Sequence, residues 1–316
     1  MKKLFFTFNP HSGRAKIRDN LMDIVDLFVK NGWDVRIHPT QAPLDCYNKV
    51  KELADNYDLV VISGGDGTLN EAVRGLMEVN SKTPLGYIPT GTTNDFARSL
   101  GLPKNNMLEA AEIAINGVHF SCDIGSFNER YYTYIAAFGI FTGVAYQTPQ
   151  QYKNILGHMA YVLQGIKSLN NVMSHHMTVE LDDEVIEDDF IFGMVSNSIS
   201  VGGFKGLSDD TDIELNDGLF EVALIKMPEN MKQLNQSVAD LMKINRYSDR
   251  IYMRKTKHIK FHSDESIPWT LDGEYGDDVH DVEISTCKKA LTIMVPPDDY
   301  EERELIEKAK NFFDLD

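Results

Sequence analysis

The chain has 316 residues, 42% apolar and 25% charged, proportions that exclude fibrous and wholly disordered classes and suit two modest domains rather than one core. Its 31 basic and 48 acidic residues leave a net charge of -17, a field that opposes nonspecific nucleic-acid binding and exerts no general pull toward anionic membranes. Cys46, Cys122 and Cys287 stand far apart, without zinc or redox spacing, and the start of the chain carries no export signal, which together point to reduced thiols in the cytoplasm.

Leu4 to Phe8 reads as a first strand, and Ile17, Leu21, Ile24 and Phe28 recur at helical spacing until Gly32. A strand at Val35–Ile37, a helix through Val50 and Leu53, a strand at Leu59–Ile62, a helix carrying Leu69, Ala72, Val73 and Leu76, and a strand at Leu85–Ile88 follow. This alternation predicts right-handed crossovers and a mostly parallel sheet, whose ligands bind beyond the carboxyl ends of the strands. The charge-poor stretch from Ile135 to Tyr152 is broken by Gly139, Gly143 and Pro149 and is no spanning helix. From Cys122 onward the pattern becomes short strands at 131–137, 177–181, 190–196, 219–225, 258–262, 282–286 and 290–295, with turn pairs at Asp182-Asp183 and Asp217-Gly218. Helices are expected around Tyr152–Leu169 and Met231–Leu241, and Pro296-Pro297 precedes an acidic amphipathic tail.

Three glycine-bearing loops follow three strands of the first half: Asn9-Pro-His-Ser-Gly13, Gly64-Gly-Asp-Gly-Thr-Leu-Asn-Glu71 and Pro89-Thr-Gly-Thr-Thr-Asn-Asp95. Glycines let a backbone approach an anion closely, helix N-termini add N–H donors, and Ser12, Thr68 and Thr92 add hydroxyls. One such loop alone also has a plainer reading as a tight turn between strand and helix; three at one sheet edge point to a nucleotide. Neither the Walker nor the dinucleotide glycine pattern occurs. Together these loops resemble those of the diacylglycerol kinase catalytic domain family, specifically its bacterial lipid kinases, which share the Gly-Gly-Asp-Gly-Thr loop with NAD kinases and 6-phosphofructokinases. The second half continues the resemblance with Asp123-Ile-Gly125, Asp217-Gly-Leu-Phe220 and Leu271-Asp-Gly-Glu-Tyr-Gly276.

The resemblance implies an NAD kinase/phosphofructokinase-like α/β domain over 1–121 that binds ATP, and a β-rich antiparallel domain over 122–298 that takes the lipid; the apolar stripe of the acidic tail, 299–316, is expected to pack back on the first. It implies an ATP-dependent lipid kinase, with diacylglycerol the leading acceptor, phosphatidic acid the product and Mg²⁺ a cofactor. ATP would meet Asn9, Ser12, Gly13, Thr40, Gly64, Gly65, Asp66, Gly67, Thr68, Asn70 and Thr92. The family assigns the proton acceptor to the position of Glu274, while Asp272 would orient Mg²⁺ or substrate and Asp66 would serve the catalytic Mg²⁺ environment. A structural Mg²⁺ would be held by Asp217 and the carbonyls of Glu214 and Leu219, although Asn216 stands where some members carry a second acid.

Plainer readings stand beside these: Asp66 as a helix N-cap, Asp217-Gly218 and Asp272-Gly273 as turns, and His175, His176, His258 and His262 as solvated or core-edge side chains. The rival functions are a sphingoid-base or other lipid kinase, an NAD kinase, and a nucleotide-binding regulator without turnover. The partners expected are ATP and a lipid at the membrane surface, with no nucleic acid, peripheral membrane association and room for a homodimer. Lys243, Arg246, Arg250, Arg254, Lys255, Lys257 and Lys260, against Asp249 alone, form the candidate basic docking stretch, which Arg14 and Lys16 would join.

Overall fold

The computed structural model describes residues 1–15, 17–91, 94–140, 163, 166, 169, 172–182, 184–197, 215–243 and 248–297. The chain divides into two compact units, Met1–Ser121 with the chain from Leu291 on, and Cys122–Ala290. The expected helix around Tyr152–Leu169, apart from Leu163, Ile166 and Leu169, and the tail at 299–316 lie outside the described residues.

In the first unit, β1 (Lys2–Phe8), β2 (Trp33–Pro39), β3 (Leu59–Gly64) and β4 (Leu85–Pro89) alternate with α1 (Ile17–Lys30), α2 (Asp45–Leu53) and α3 (Asp66–Glu78). The order β2-β1-β3-β4 is parallel throughout. Beyond β4 the sheet takes one more parallel partner, since Leu85 registers with Ile293 near the end of β13 (Glu274–Val295), the last strand among the described residues. Leu4, Phe6 and Phe8 alternate onto one face, where Ile17, Ile24 and Phe28 of α1 cover them. Two short helices that the periodicity did not announce, α4 (Asp95–Ser99) and α5 (Met107–Asn116), complete the unit, and Ala110, Ala111 and Ala114 of α5 join the same core. The Asn106 side chain caps α5 by accepting the Glu109 N–H at 3.2 Å. Gly75 lets α3 approach α2 closely, for a Cβ there would lie 2.9 Å from the Tyr47 carbonyl oxygen.

The second unit is antiparallel. It contains β5 (Val118–Phe127, entering from the first unit), β6 (Arg130–Tyr132), β7 (Ile135–Gly139), β8 (His175–Leu181), β9 (Glu184–Ser196), β10 (Phe220–Lys226), α6 (Met231–Lys243), β11 (Ile251–Thr256) and β12 (His258–Leu271). The order runs β11-β10-β9-β7-β12-β13, and β8 pairs with β9 and β12. The separate strands expected at 258–262, 282–286 and 290–295 are merged into the long β12 and β13, whose register shifts between His262 and Ile267 and between Trp269 and Thr270. Irregularities of this kind break the alternation on which strand ends are read without ending the strand. Trp269 anchors the core, its ring centroid 4.8 Å from Phe138, 5.0 Å from Phe261 and 5.2 Å from Phe127.

Candidate active site

Parallel register brings the strand ends of the first unit level. Phe8 registers with Pro39 and with Ser63, and Gly64 with Pro89, so Asn9, Thr40, Gly65 and Thr90 leave the same edge. Backbone bonds carry the ladder one step further, with the N–H of Asn9 donating to Ser63, that of Thr40 to Phe8 and that of Thr90 to Gly64.

The loops then touch, and glycine is what allows it. Gly13 has φ +56°, and a Cβ on it would lie 1.8 Å from the Thr90 carbonyl oxygen. A Cβ on Gly91 would lie 2.6 Å from the Gly65 Cα, and one on Gly65 would come within 3.8 Å of Ser12 Oγ. The loop after β3 runs straight into α3, whose first turn contains Asp66, Gly67 and Thr68 with Asn70 one turn on. The first N–H groups of a 13-residue helix, which lack partners within the helix, therefore open at this edge. This cradle suits a polyphosphate.

Asp66 is not the N-cap. Gly65 holds that position without a side-chain bond, and Asp66 Oδ2 instead accepts the Asn94 N–H at 2.9 Å, tying the second loop to the third. The Thr68 side chain is buried against Gly64, where any Cβ would collide with it, so it packs into the loop. Glu71, the last residue of the motif, has a function that the sequence did not suggest. Its carboxylate accepts the N–H groups of Leu44 and Tyr47 at 3.0 and 3.4 Å, fixing the start of α2 just after Thr40. Thr92 lies outside the described residues.

In the second unit, Asp272 and Gly273 form the two-residue turn between β12 and β13, with φ +53° and +84° and Leu271 paired with Glu274. Positive φ at both positions is the requirement of the tight hairpin turn that Asp-Gly favours. The Asp272 carboxylate does not face outward. It is 6% exposed and accepts the Thr133 N–H at 2.7 Å, the Thr133 hydroxyl at 2.8 Å, the Tyr134 N–H at 2.9 Å and the Ile135 N–H at 3.1 Å. Burial pushes its carboxyl upward, while these donors pull it down. The Tyr134 hydroxyl also donates to the Asp272 carbonyl oxygen at 3.1 Å. With both oxygens turned inward, Asp272 is placed to hold the turn rather than a metal or substrate. Glu274, two residues on, is exposed.

The Asp217 turn binds nitrogen donors. Asp217 Oδ1 accepts the Leu219 N–H at 2.8 Å, Oδ2 lies 3.4 Å from Lys255 Nζ, and the Asp217 main-chain oxygen accepts from Lys288 Nζ at 3.1 Å. Buried Asp123 accepts the N–H groups of Gly218 and Lys289 at 2.6 Å each. Lys255 also lies 3.3 Å from Glu221, whose carboxyl is raised by burial against the pull of that lysine. A divalent ion needs oxygen lone pairs turned toward one point. The described donors at Asp217 are turned toward two ammonium groups and a peptide N–H, which does not fit the expected Mg²⁺; Glu214 lies outside the described residues.

Part of the basic stretch is engaged, while Arg246, like Lys16, lies outside the described residues. Arg254 lies over the Tyr252 ring and 4.0 Å from Glu184, Lys255 points at Asp217 and Glu221, and Lys260 lies 3.9 Å from Glu283.

A family model described as "Diacylglycerol kinase catalytic domain" matches residues 3–127. The chain is 35% identical over 277 residues to a protein of Bacillus subtilis (strain 168) named "Diacylglycerol kinase", covering 87% of this chain and 91% of that one. It is 30% identical over 310 residues to a protein of the same name from Staphylococcus saprophyticus, covering 97% and 99%. Among solved structures, one described as "a diacylglycerol kinases from Bacillus anthracis str. Sterne" matches with a TM-score of 0.69 at 22% identity, over 94% of this chain and 97% of that one. Another from that organism reaches a TM-score of 0.78 at 24% identity over 94% and 96%. At these identities the structures speak for the fold.

Proposed function

This chain belongs to the diacylglycerol kinase catalytic domain family and is a lipid kinase, and on that premise we propose that it transfers the terminal phosphoryl group of ATP to the free hydroxyl of diacylglycerol, giving phosphatidic acid. The observation that carries the reading is the convergence of the Gly13, Gly65 and Gly91 loops at one edge of a parallel sheet. Asn9, Ser12, Gly13 and the Gly64–Asn70 loop bind the phosphates through N–H groups and hydroxyls, Thr92 extends that loop set, and Thr40 lies on the adenosine side. The same loop after β3 supports an architecture shared with NAD kinases and 6-phosphofructokinases.

Mg²⁺ accompanying the nucleotide would neutralise phosphate charge, and Asp66 is the residue that would hold it. In the second unit Glu274 takes the proton from the lipid hydroxyl, which makes the oxygen a competent nucleophile. Asp272 fixes the turn from which Glu274 projects and is a positioning residue. Among the described residues no helix is long and apolar enough to cross a membrane. We infer that the enzyme reaches its lipid by weak, reversible docking at the bilayer surface.

A phosphorylation assay with radiolabelled ATP against diacylglycerol, sphingoid bases and NAD tests the reading. Label is expected in phosphatidic acid. Transfer to NAD alone, or to no acceptor, would overturn it.

A further inference from the structure

The turn around Asp217 gathers three carboxylates, Asp123, Asp217 and Glu221, of which Asp123 is 0% and Glu221 4% exposed. Buried carboxylates this close repel one another and lose hydration, so the fold must supply compensating charge and donors. Backbone N–H groups of Gly218 and Lys289 satisfy Asp123. The other two acids face Lys255, whose Nζ lies 3.4 Å from Asp217 Oδ2 and 3.3 Å from Glu221 Oε1. Strand register sets that placement, because Glu221 of β10 and Lys255 of β11 are directly paired across the ladder. Lys288 approaches from β13, its Nζ on the Asp217 carbonyl oxygen at 3.1 Å and its stem over Gly218, where a Cβ would lie 2.9 Å from Lys288 Cδ.

We propose that Lys255 and Lys288 together are the cation of this turn, so that the second unit is held there by two ammonium groups and needs no divalent ion. An ammonium has three donors and can bridge two carboxylates at once. Mg²⁺ instead demands a near-octahedral set of oxygens. To enter here it would have to displace Lys255 from Asp217 and strip Glu221 of the same partner. The inference concerns the folded state and is independent of the acceptor assigned above.

Thermal melting of the full chain in EDTA and in millimolar MgCl₂ tests it, using wild type, Asp217→Asn, Lys255→Met, Lys255→Arg and Lys288→Met. Wild type and Asp217→Asn are expected to respond identically to Mg²⁺. Lys255→Met should lower Tm by about 5 °C or more, since it leaves two acids facing each other, and Lys288→Met should lower it less. Lys255→Arg retains the charge and should melt near wild type even where Lys255→Met yields no folded protein. A Mg²⁺-dependent rise in wild type that Asp217→Asn abolishes would overturn the proposal. So would a Lys255→Met protein that melts with wild type, or a Lys255→Arg protein that collapses with Lys255→Met.

Discussion

Glu274 and Asp272 stand two residues apart in the chain and differ in everything that decides a carboxylate's work. Glu274 is exposed at the start of β13, whereas Asp272 is buried with both oxygens engaged. Glu274→Gln keeps the shape and removes the basicity. Turnover should fall about a hundredfold or more, the usual worth of a positioned base, while nucleotide binding measured by calorimetry is retained. Asp272→Asn should act differently. It replaces one acceptor oxygen with an NH₂ that faces N–H donors, and hydrogen bonds to charged groups contribute about 1.5–3 kcal/mol each. Both Tm and turnover should drop, and a variant with normal Tm would remove Asp272 from the positioning role. The motif was legible in the sequence, but the burial of the Asp272 carboxylate was not, since the donors at Thr133, Tyr134 and Ile135 lie far away in the chain. The Lys255 and Lys288 contacts to Asp217 were hidden for the same reason, because only the fold brings these distant positions together.

Loops and strands show the next level of organisation. The three glycine loops were readable because each follows an apolar strand, and parallel register then puts them level. Gly13→Ala tests that packing. With φ +56° and a Cβ position 1.8 Å from a carbonyl oxygen, alanine must displace the first loop from the third. The apparent affinity for ATP should weaken at least tenfold, and an unchanged KM would show that the loops need not touch. On β8 and β12 the histidines tell the opposite story. His176 faces Asp189 at 3.1 Å and Glu187 at 3.3 Å, and His262 faces Asp281 at 2.6 Å, partners that no local pattern reveals. These carboxylates raise both imidazoles above their ordinary value near 6.5. A raised folded-state value means that the stabilisation is full below the unfolded pKa of about 6.5 and fades as pH rises through the folded one. A scan of Tm from pH 5.5 to about 8.5 should therefore show wild type losing its advantage over His176→Asn/His262→Asn as pH rises. Parallel curves for the two proteins would refute this.

For the molecule as a whole, a net charge of -17 makes docking at an anionic bilayer a local affair. Arg254 keeps a 53% exposed side chain, its nearest acid is 4.0 Å away, and exposed Lys257 follows it between β11 and β12. Each basic residue near an anionic leaflet contributes about 1 kcal/mol, so binding to anionic vesicles should be weak and salt-sensitive. Sedimentation with Arg254→Glu/Lys257→Glu should show less protein bound at low salt than wild type. Equal binding to neutral and anionic vesicles would assign the contact to apolar surface instead.

The single pairing of Ile293 with Leu85 bears on biosynthesis. The outer edge of β4 finds its partner only when Ile293 has left the ribosome, after the entire second unit. Until then a nascent first unit carries an open strand edge, the feature most prone to pairing with a neighbouring chain. Closing that edge with a strand that follows the second unit makes synthesis through Ile293, rather than of Met1–Ser121 alone, the event that finishes the first unit's sheet.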